Sequence, residues 1–350
     1  MAKLLMKGNE ALAEAAIRAG CRGYFGYPIT PQNEVGHYMA KRMPEVGGVF
    51  LQAESEVAAI NMVYGAAATG KRVMTTSSSP GMSLKQEGLS YMAGADLPCV
   101  VVNIVRAGPG LGGILPAQGD YFQATKGGGH GDYRTIVLAP SSVQELYEMT
   151  VEAFNLADKY RMTVTLLGDG VLGQMMESVE FKEQEEIIDV DKSWAANGTK
   201  MKRPHNEIES IQIDPDLLEA RINTRLEKYN KIEAEETRYE DINCEDAEII
   251  LVAYGTAARI AKNVVKEARK EGIQAGLIRP ISLWPFPVIP FDKYACQTKA
   301  FLTVEMSTGQ MVEDVRLAVK ESAPVYFHGR TGGNIPNPSD IMNIMKEVLA

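Results

Sequence analysis

Three stretches of this chain are apolar almost without alternation: Arg72-Val73-Met74-Thr75-Thr76, Cys99-Val100-Val101-Val102-Asn103-Ile104-Val105 and Met162-Thr163-Val164-Thr165-Leu166-Leu167. A strand with one wet face alternates apolar and polar residues, so runs like these belong to strands covered on both faces. Helical patterns lie between them, and the combination predicts an α/β fold with a doubly wound parallel sheet between two helical layers. Helix-start signals agree. Thr30-Pro31 reads as a cap followed by proline at the first helical position, and Ser142 with Glu145 reads as a capping box before Leu146, Met149 and Val151.

At 350 residues the chain is long enough for about two or three domains. The strand-helix pattern restarts at Ile249-Ile250-Leu251-Val252-Ala253-Tyr254. It continues through a helix to Lys270 and strands at Ile273 to Ile278 and Phe301 to Glu305, which predicts a second, smaller α/β domain. Pro280, Pro285, Pro287 and Pro290 fall between two of its strands, where an irregular crossing is expected. The middle reads as a connector. Residues 178–247 hold 19 acidic and 10 basic residues, leaving 26 of each elsewhere, so the whole formal charge of -9 sits there. Within it Asp214-Pro215 is a helix-start signal, followed at helical spacing by Leu218, Ile222, Leu226 and Tyr229. The expected domains are therefore 1–177, an acidic, partly helical connector at 178–247, and 248–350.

The two flanks, balanced when taken together, give no basic groove, so nucleic-acid binding is unsupported. Apolar runs fall well short of the roughly eighteen residues that span a bilayer, and the N-terminus lacks a cleavable leader pattern, so the expected location is cytoplasmic with no membrane contact. Cys21, Cys99, Cys244 and Cys296 form no Cys-x-x-Cys pair, and His37, His130, His205 and His328 show no ligand spacing. No metal ligand is assigned to this chain, and any iron-sulfur cluster is expected elsewhere.

Three glycine motifs carry weaker signals. Gly65-Ala66-Ala67-Ala68-Thr69-Gly70-Lys71-Arg72 approaches a P-loop, yet Arg72 stands where a magnesium-binding hydroxyl belongs, and a helix precedes it where a strand should. Gly108-Pro109-Gly110-Leu111-Gly112-Gly113 fits the dinucleotide fingerprint and follows a strand, but Ile114 to Gly119 cannot start the required helix. A loop near a site is the better reading. Gly168-Asp169-Gly170 matches the start of a magnesium-diphosphate motif, with Asn197 beyond it; the acidic stretch between them favours a simple turn.

The remaining constellation is Tyr27-Pro28-Ile29-Thr30-Pro31, then Gln52-Ala53-Glu54-Ser55-Glu56 opening a helix, then Thr75-Thr76-Ser77-Ser78-Ser79-Pro80-Gly81. In this order it resembles the pyrimidine-binding domain of 2-oxoacid:ferredoxin oxidoreductases. The resemblance continues through Asn103 to Gly110, Gly129-His130-Gly131-Asp132, Val304-Glu305-Met306, Gly309-Gln310-Met311 and Arg330-Thr331-Gly332-Gly333, covering nearly the whole chain. Within the family the pattern looks most like the separate α-type subunit of 2-oxoisovalerate enzymes, with the 2-oxoglutarate type next.

The resemblance implies a pyrimidine-type thiamine-diphosphate-binding fold followed by a transketolase C-terminal-like domain used for assembly. It implies conversion of a 2-oxoacid, coenzyme A and oxidised ferredoxin to acyl-CoA, carbon dioxide and reduced ferredoxin. Thiamine diphosphate would be shared with a β-type subunit carrying the diphosphate-binding domain. Magnesium and the iron-sulfur clusters would lie on partners, among them a γ-type and a ferredoxin-like subunit. Thiamine chemistry needs an acid that hydrogen-bonds the aminopyrimidine ring nitrogen and favours the imino form. The family pattern selects Glu56, which leads Val57-Ala58-Ala59, with Glu54 as its rival; a helix-initial acid favoured by the macrodipole is the plain structural alternative. By the same resemblance Arg106 pairs with the substrate carboxylate, Thr30 offers its hydroxyl to substrate or cofactor, and Pro28, Ile29 and Ser79 line the cofactor.

Two other classes stay open on the sequence. A nucleotide- or NAD-binding enzyme would rest on the two longer glycine motifs, and a structural subunit would have dispensed with Glu56.

Overall fold

The computed structural model describes residues 3–350. In chain order the first part contains β1 (Lys3–Lys7), α1 (Gly8–Arg18), β2 (Gly23–Gly26), α2 (Asn33–Arg42), β3 (Val49–Gln52), α3 (Glu56–Ala68), β4 (Val73–Ser77), α4 (Pro80–Gly94), β5 (Cys99–Val105), α5 (Tyr121–Thr125), β6 (Ile136–Leu138), α6 (Val143–Tyr160), β7 (Thr163–Asp169), α7 (Gly170–Gln174) and β8 (Met176–Glu180). Then follow α8 (Pro215–Glu235), β9 (Tyr239–Ile242), β10 (Ile249–Val252), α9 (Gly255–Lys270), β11 (Ala275–Pro280), β12 (Ser282–Trp284), α10 (Ile289–Tyr294), β13 (Ala300–Glu305), α11 (Met311–Val319), β14 (Val325–Gly329) and α12 (Pro338–Leu349).

The larger sheet has the order β12-β6-β7-β5-β4-β2-β3 and is parallel except for β12, which runs antiparallel to β6. Its central strand β5 is buried at every residue. Successive side chains of a strand point to opposite faces. Val100, Val102 and Ile104 accordingly join the core built with α1 and α6, while Cys99 and Val101 join the one built with α3 and α4. Two covered faces explain why the run has no polar alternation.

The smaller sheet, β14-β13-β10-β11-β9, is parallel apart from β9 and packs against α9 and α12. The two sheets are tied together near the ends of their strands. Gln118 donates to the Tyr254 carbonyl at 2.9 Å and accepts from the Met306 N–H at 2.9 Å, and Arg279 pairs with Glu145 at 2.6 Å.

Several expectations change in detail. The boundary drawn between 177 and 178 falls inside β8, which pairs with β1; β9 joins the second sheet, and β12 crosses into the first. The acidic connector is pinned to the first domain: Lys192 bonds both carboxylate oxygens of Asp158 at 3.0 Å, and the Arg161 guanidinium lies over the Trp194 ring. Asp214 caps α8 as expected, with Pro215 at its first position.

Thr30-Pro31 does not cap α2, which begins at Asn33 with Gln32 as its N-cap. The Pro31 carbonyl instead accepts from Asn9 Nδ2 and Gln174 Nε2, both at 2.8 Å, and these tertiary bonds hold the segment out of the helix. Ser142 caps α6, but the Glu145 carboxylate bonds Ser141 rather than closing the box on Ser142. Asp169 is more than a turn residue: it ends β7 and caps α7 by accepting from the N–H groups of Val171 and Leu172.

Candidate active site

In an open parallel sheet a crevice forms beyond the carboxyl ends of the strands where the winding reverses. Here the chain passes from β2 outward to β3, then back across β2 to β4, so the reversal lies between β2 and β4. All the sequence-selected residues follow carboxyl ends around it: Pro28, Ile29 and Thr30 after β2, Glu56 after β3, Ser79 after β4 and Arg106 after β5. The Tyr24 hydroxyl and Thr76 Oγ1 join β2 to β4 at 2.7 Å, and Thr76 also bonds Gln32.

Ser55 caps α3 by accepting from the Ala58 N–H at 3.2 Å. Glu56 follows as the first helical residue. It is 6% exposed, whereas Glu54 is exposed to solvent. The Glu56 carboxyl rests against α4 at Gly81, where a Cβ would fall 2.5 Å from Glu56 Oε1 and 2.2 Å from Ser77 Oγ. Only glycine leaves room for both groups. The buried hydroxyls of Ser77 and Ser78 have no hydrogen-bond partner among the described residues. A buried carboxyl near the unsatisfied Ser77 hydroxyl is a donor-acceptor set suited to a polar ring.

Ser79 holds the other half of the turn. Its φ of 22° is unusual for a residue with a side chain and costs of order 1–3 kcal/mol. Compensating bonds surround it. Its N–H donates to Asn103 Oδ1 at 3.1 Å, and its hydroxyl both accepts from the Arg106 N–H and donates to the Arg106 carbonyl at 3.1 Å. Asn103 in turn donates to Asp120 at 2.8 Å, and burial pushes the Asp120 carboxyl up against that opposing bond.

Arg106 is buried, and its guanidinium donates to the carbonyls of Thr30 at 3.0 Å and Leu111 at 3.1 Å. Its Nε is buried without a partner among the described residues. The fork thus joins the Tyr27–Pro31 segment to the glycine loop, whose ends close where Arg106 bridges Pro116. Leu111, Ile114 and Leu115 of that loop are exposed. Thr30 is exposed and accepts from Asn33 Nδ2 at 3.5 Å; Pro28 is exposed and lines a pocket of about 140 Å³ with Tyr27 and Gln32, and Ile29 is half-buried.

The structure therefore links Ser79, Arg106 and Thr30 by direct hydrogen bonds and places Glu56 at the other end of the same serine turn. The two longer glycine motifs do not open helices: Gly65–Gly70 closes α3, and Gly108–Gly113 is followed by the bridge to Pro116. Arg72 is spent on Asp158, Asn155 and the Ala19 carbonyl. Sequence reasoning missed Asn103, Asp120 and above all Lys85, a lysine with no exposed surface on the face of α4 that carries Gly81. Its signal was a charge spaced four residues from Gly81 and three from Gly88, both pressed against α3.

Residues 14–249 match the family described as pyruvate flavodoxin/ferredoxin oxidoreductase, thiamine diphosphate-binding, and residues 247–341 match pyruvate:ferredoxin oxidoreductase core domain II. The chain is 52% identical over 348 residues to the ketoisovalerate oxidoreductase subunit VorB of Methanothermobacter thermautotrophicus, covering 99% of this chain and 98% of that one. It is 36% identical to the 2-oxoglutarate synthase subunit KorA of Methanocaldococcus jannaschii, covering 96% and 97%. The fold superposes on the 2-oxoglutarate:ferredoxin oxidoreductase of Magnetococcus marinus, solved with 2-oxoglutarate, coenzyme A and succinyl-CoA, at TM-score 0.90 and 29% identity. That match covers 99% of this chain and 65% of the other. A split-gene transketolase shares the fold at TM-score 0.58 and 14% identity, over 98% of each chain.

Proposed function

We propose that this chain, which belongs to the pyruvate flavodoxin/ferredoxin oxidoreductase family and is a subunit of a 2-oxoacid:ferredoxin oxidoreductase, activates thiamine diphosphate through Glu56. The observation that carries the proposal is the burial of Glu56 against Gly81, where the unsatisfied hydroxyl of Ser77 meets the same contact. These groups fit an aminopyrimidine, which offers ring nitrogens and an amino group to an acid and to hydroxyls. Thiamine diphosphate, when bound, supplies the nucleophilic carbon that attacks the 2-oxoacid and the electron sink for its decarboxylation.

The chain's own residues do the following. Glu56 holds a proton at a carboxyl oxygen and passes it toward the pyrimidine ring nitrogen. Gly81 leaves space for that approach. Pro28, Ile29 and Ser79 shape the crevice wall, and Arg106, held by Ser79 and holding Thr30, keeps that wall in one piece and directs positive charge toward a substrate carboxylate. Thr30 presents its hydroxyl at the rim.

The substrate is 2-oxoisovalerate, a reading supported by 52% identity to a ketoisovalerate subunit against 36% to a 2-oxoglutarate subunit. Coenzyme A accepts the acyl group and ferredoxin the electrons. Magnesium and the diphosphate site belong to a β-type partner, with γ-type and ferredoxin-like subunits completing the assembly and carrying the clusters.

The test is reconstitution. The purified chain alone is expected to be colourless and inactive, and coenzyme-A-dependent dye reduction should appear only with the partner carrying the diphosphate site, fastest on 2-oxoisovalerate. Tight thiamine diphosphate binding by the isolated chain would overturn the shared site. Faster turnover of 2-oxoglutarate would overturn the substrate.

A further inference from the structure

Lys85 has no exposed surface, and its Nζ donates to the neutral hydroxyl of Thr75 at 2.9 Å. A buried ammonium with one neutral acceptor is costly, since burial disfavours the charged form. A methionine or leucine would fill such a position on α4 without that cost. Its surroundings explain what the charge faces.

Gly81, Lys85 and Gly88 lie at i, i+4 and i+7, which puts them on one face of α4. That face packs on α3. A Cβ at Gly81 would strike the Glu56 carboxyl, and one at Gly88 would lie 2.6 Å from Ile60 Cγ1 and Cγ2. Glu56 and Ile60 are themselves four residues apart on α3. Lys85 therefore emerges between two close helix contacts, one of which is the Glu56 carboxyl itself.

The charged and titratable groups acting on Lys85 come from two elements. Glu56 on α3 favours its ammonium, and Cys99 on β5 stays a neutral thiol because burial pushes it up to about 12. Burial drives Lys85 down to about 8 while Glu56 opposes that shift, so the ammonium persists at neutral pH and is lost in mildly alkaline solution. The one acid whose charge acts on this buried cation is the candidate acid of the site.

We propose that Lys85 is the counter-charge of Glu56, a positioning residue whose buried ammonium stabilises the carboxylate left when the Glu56 proton moves to the pyrimidine ring nitrogen. The step transfers one proton from the Glu56 carboxyl to the ring nitrogen, and Lys85 keeps its own protons throughout. The inference rests on Glu56 being the activating acid. It adds the buried charge that faces that acid.

The experiment uses the assembled complex with thiamine diphosphate and follows hydrogen-deuterium exchange at the thiazolium C2 carbon from neutral to alkaline pH. Lys85→Met removes the charge at similar volume, and Lys85→Gln also keeps a donor for Thr75. Both should slow exchange about ten- to a hundredfold, the order expected when a buried opposite charge is taken from a reacting acid. Both should also lose the alkaline fall that follows titration of Lys85 in the wild type.

A second readout needs no cofactor. The unfolded lysine titrates near 10.5 and the buried one near 8, so the burial cost is fully present below 8 and fades as pH rises toward 10.5. Lys85→Met should therefore melt higher than the wild type at neutral pH, and the difference should narrow in alkali. A lysine with a merely structural role would give a lower melting point instead, and that result overturns the proposal.

Wild-type exchange in Lys85→Gln assigns the role to the Thr75 hydrogen bond and also overturns it. In the double variant with Glu56→Gln no further slowing is expected; additive slowing means Lys85 does not act through Glu56. Normal exchange in Glu56→Gln alone defeats the activating-acid reading first. Slow exchange there with normal exchange in Lys85→Met defeats only the counter-charge.

Discussion

The hydroxyl of Ser79 and the backbone of Arg106 are bonded in both directions, N–H to Oγ and Oγ to carbonyl, each at 3.1 Å. This pair joins the turn after β4 to the end of β5, and the Arg106 guanidinium extends the joint to Thr30 and Leu111. The unfavourable φ of Ser79 persists because these bonds and the one to Asn103 over-determine it. The wall of the crevice opposite Glu56 is thus a hydrogen-bonded unit rather than a set of independent loops.

Arg106→Ala should release that wall and remove the guanidinium together. Hydrogen bonds to a charged group contribute about 1.5–3 kcal/mol each, so kcat/KM for the 2-oxoacid should fall roughly ten- to a hundredfold or more, while cofactor occupancy stays nearly unchanged. Arg106→Lys should rescue only in part, because one point charge cannot hold the Thr30 and Leu111 carbonyls as the fork does. Steady-state kinetics and thiamine content of the assembled variants decide the matter, and an unchanged substrate dependence in Arg106→Ala removes the residue from the site.

Gly81→Ala tests the site without deleting any chemical group. The new Cβ would overlap Ser77 Oγ and Glu56 Oε1, and the end of the glutamate side chain is the part free to move away. Inside a helix alanine is favoured over glycine by about 1 kcal/mol, which offsets some of the strain. The variant should assemble and melt near the wild-type temperature, yet turn over about a hundredfold more slowly because the carboxyl is displaced. Full activity would show that the Glu56 carboxyl need not occupy the place where Gly81 admits it.

The parallel sheet was legible because β5 is apolar on both faces, a pattern that follows from cover by α1 and α6 on one side and α3 and α4 on the other. The family pattern selected Glu56 with Glu54 as its rival, and of the two Glu56 is buried and Glu54 exposed. Lys85 was not legible. In the sequence it sits beside Gln86 and Glu87 and reads as a solvated helix face, whereas two glycines bring α4 so close to α3 that this face is interior. Thr30-Pro31 misled for the converse reason, since a local capping rule yields when Asn9 and Gln174 compete for the Pro31 carbonyl. The connector's acidity was legible, but Lys192, Trp194 and Ala195 anchor it through single side chains that composition cannot reveal.

Glu56→Gln against Glu54→Gln separates catalysis from folding most sharply. Glutamine keeps the volume of the side chain and can still hydrogen-bond the pyrimidine, so the complex should assemble and bind thiamine diphosphate. What it lacks is the acidic proton. General acid-base help of this kind is worth roughly a hundredfold to ten-thousandfold, and a loss in that range is expected for Glu56→Gln. Glu54 is exposed at the approach to α3, outside the contact with Gly81, so Glu54→Gln should change little. Hydrogen-deuterium exchange at the thiazolium C2 carbon is the measurement, because it reports activation before any substrate chemistry. Wild-type exchange in Glu56→Gln with collapse in Glu54→Gln would move the acid by two residues, despite the burial. Wild-type exchange in both, with full turnover of a Glu56→Ala complex, would make this chain a structural subunit whose buried helix-initial acid serves the macrodipole of α3 alone.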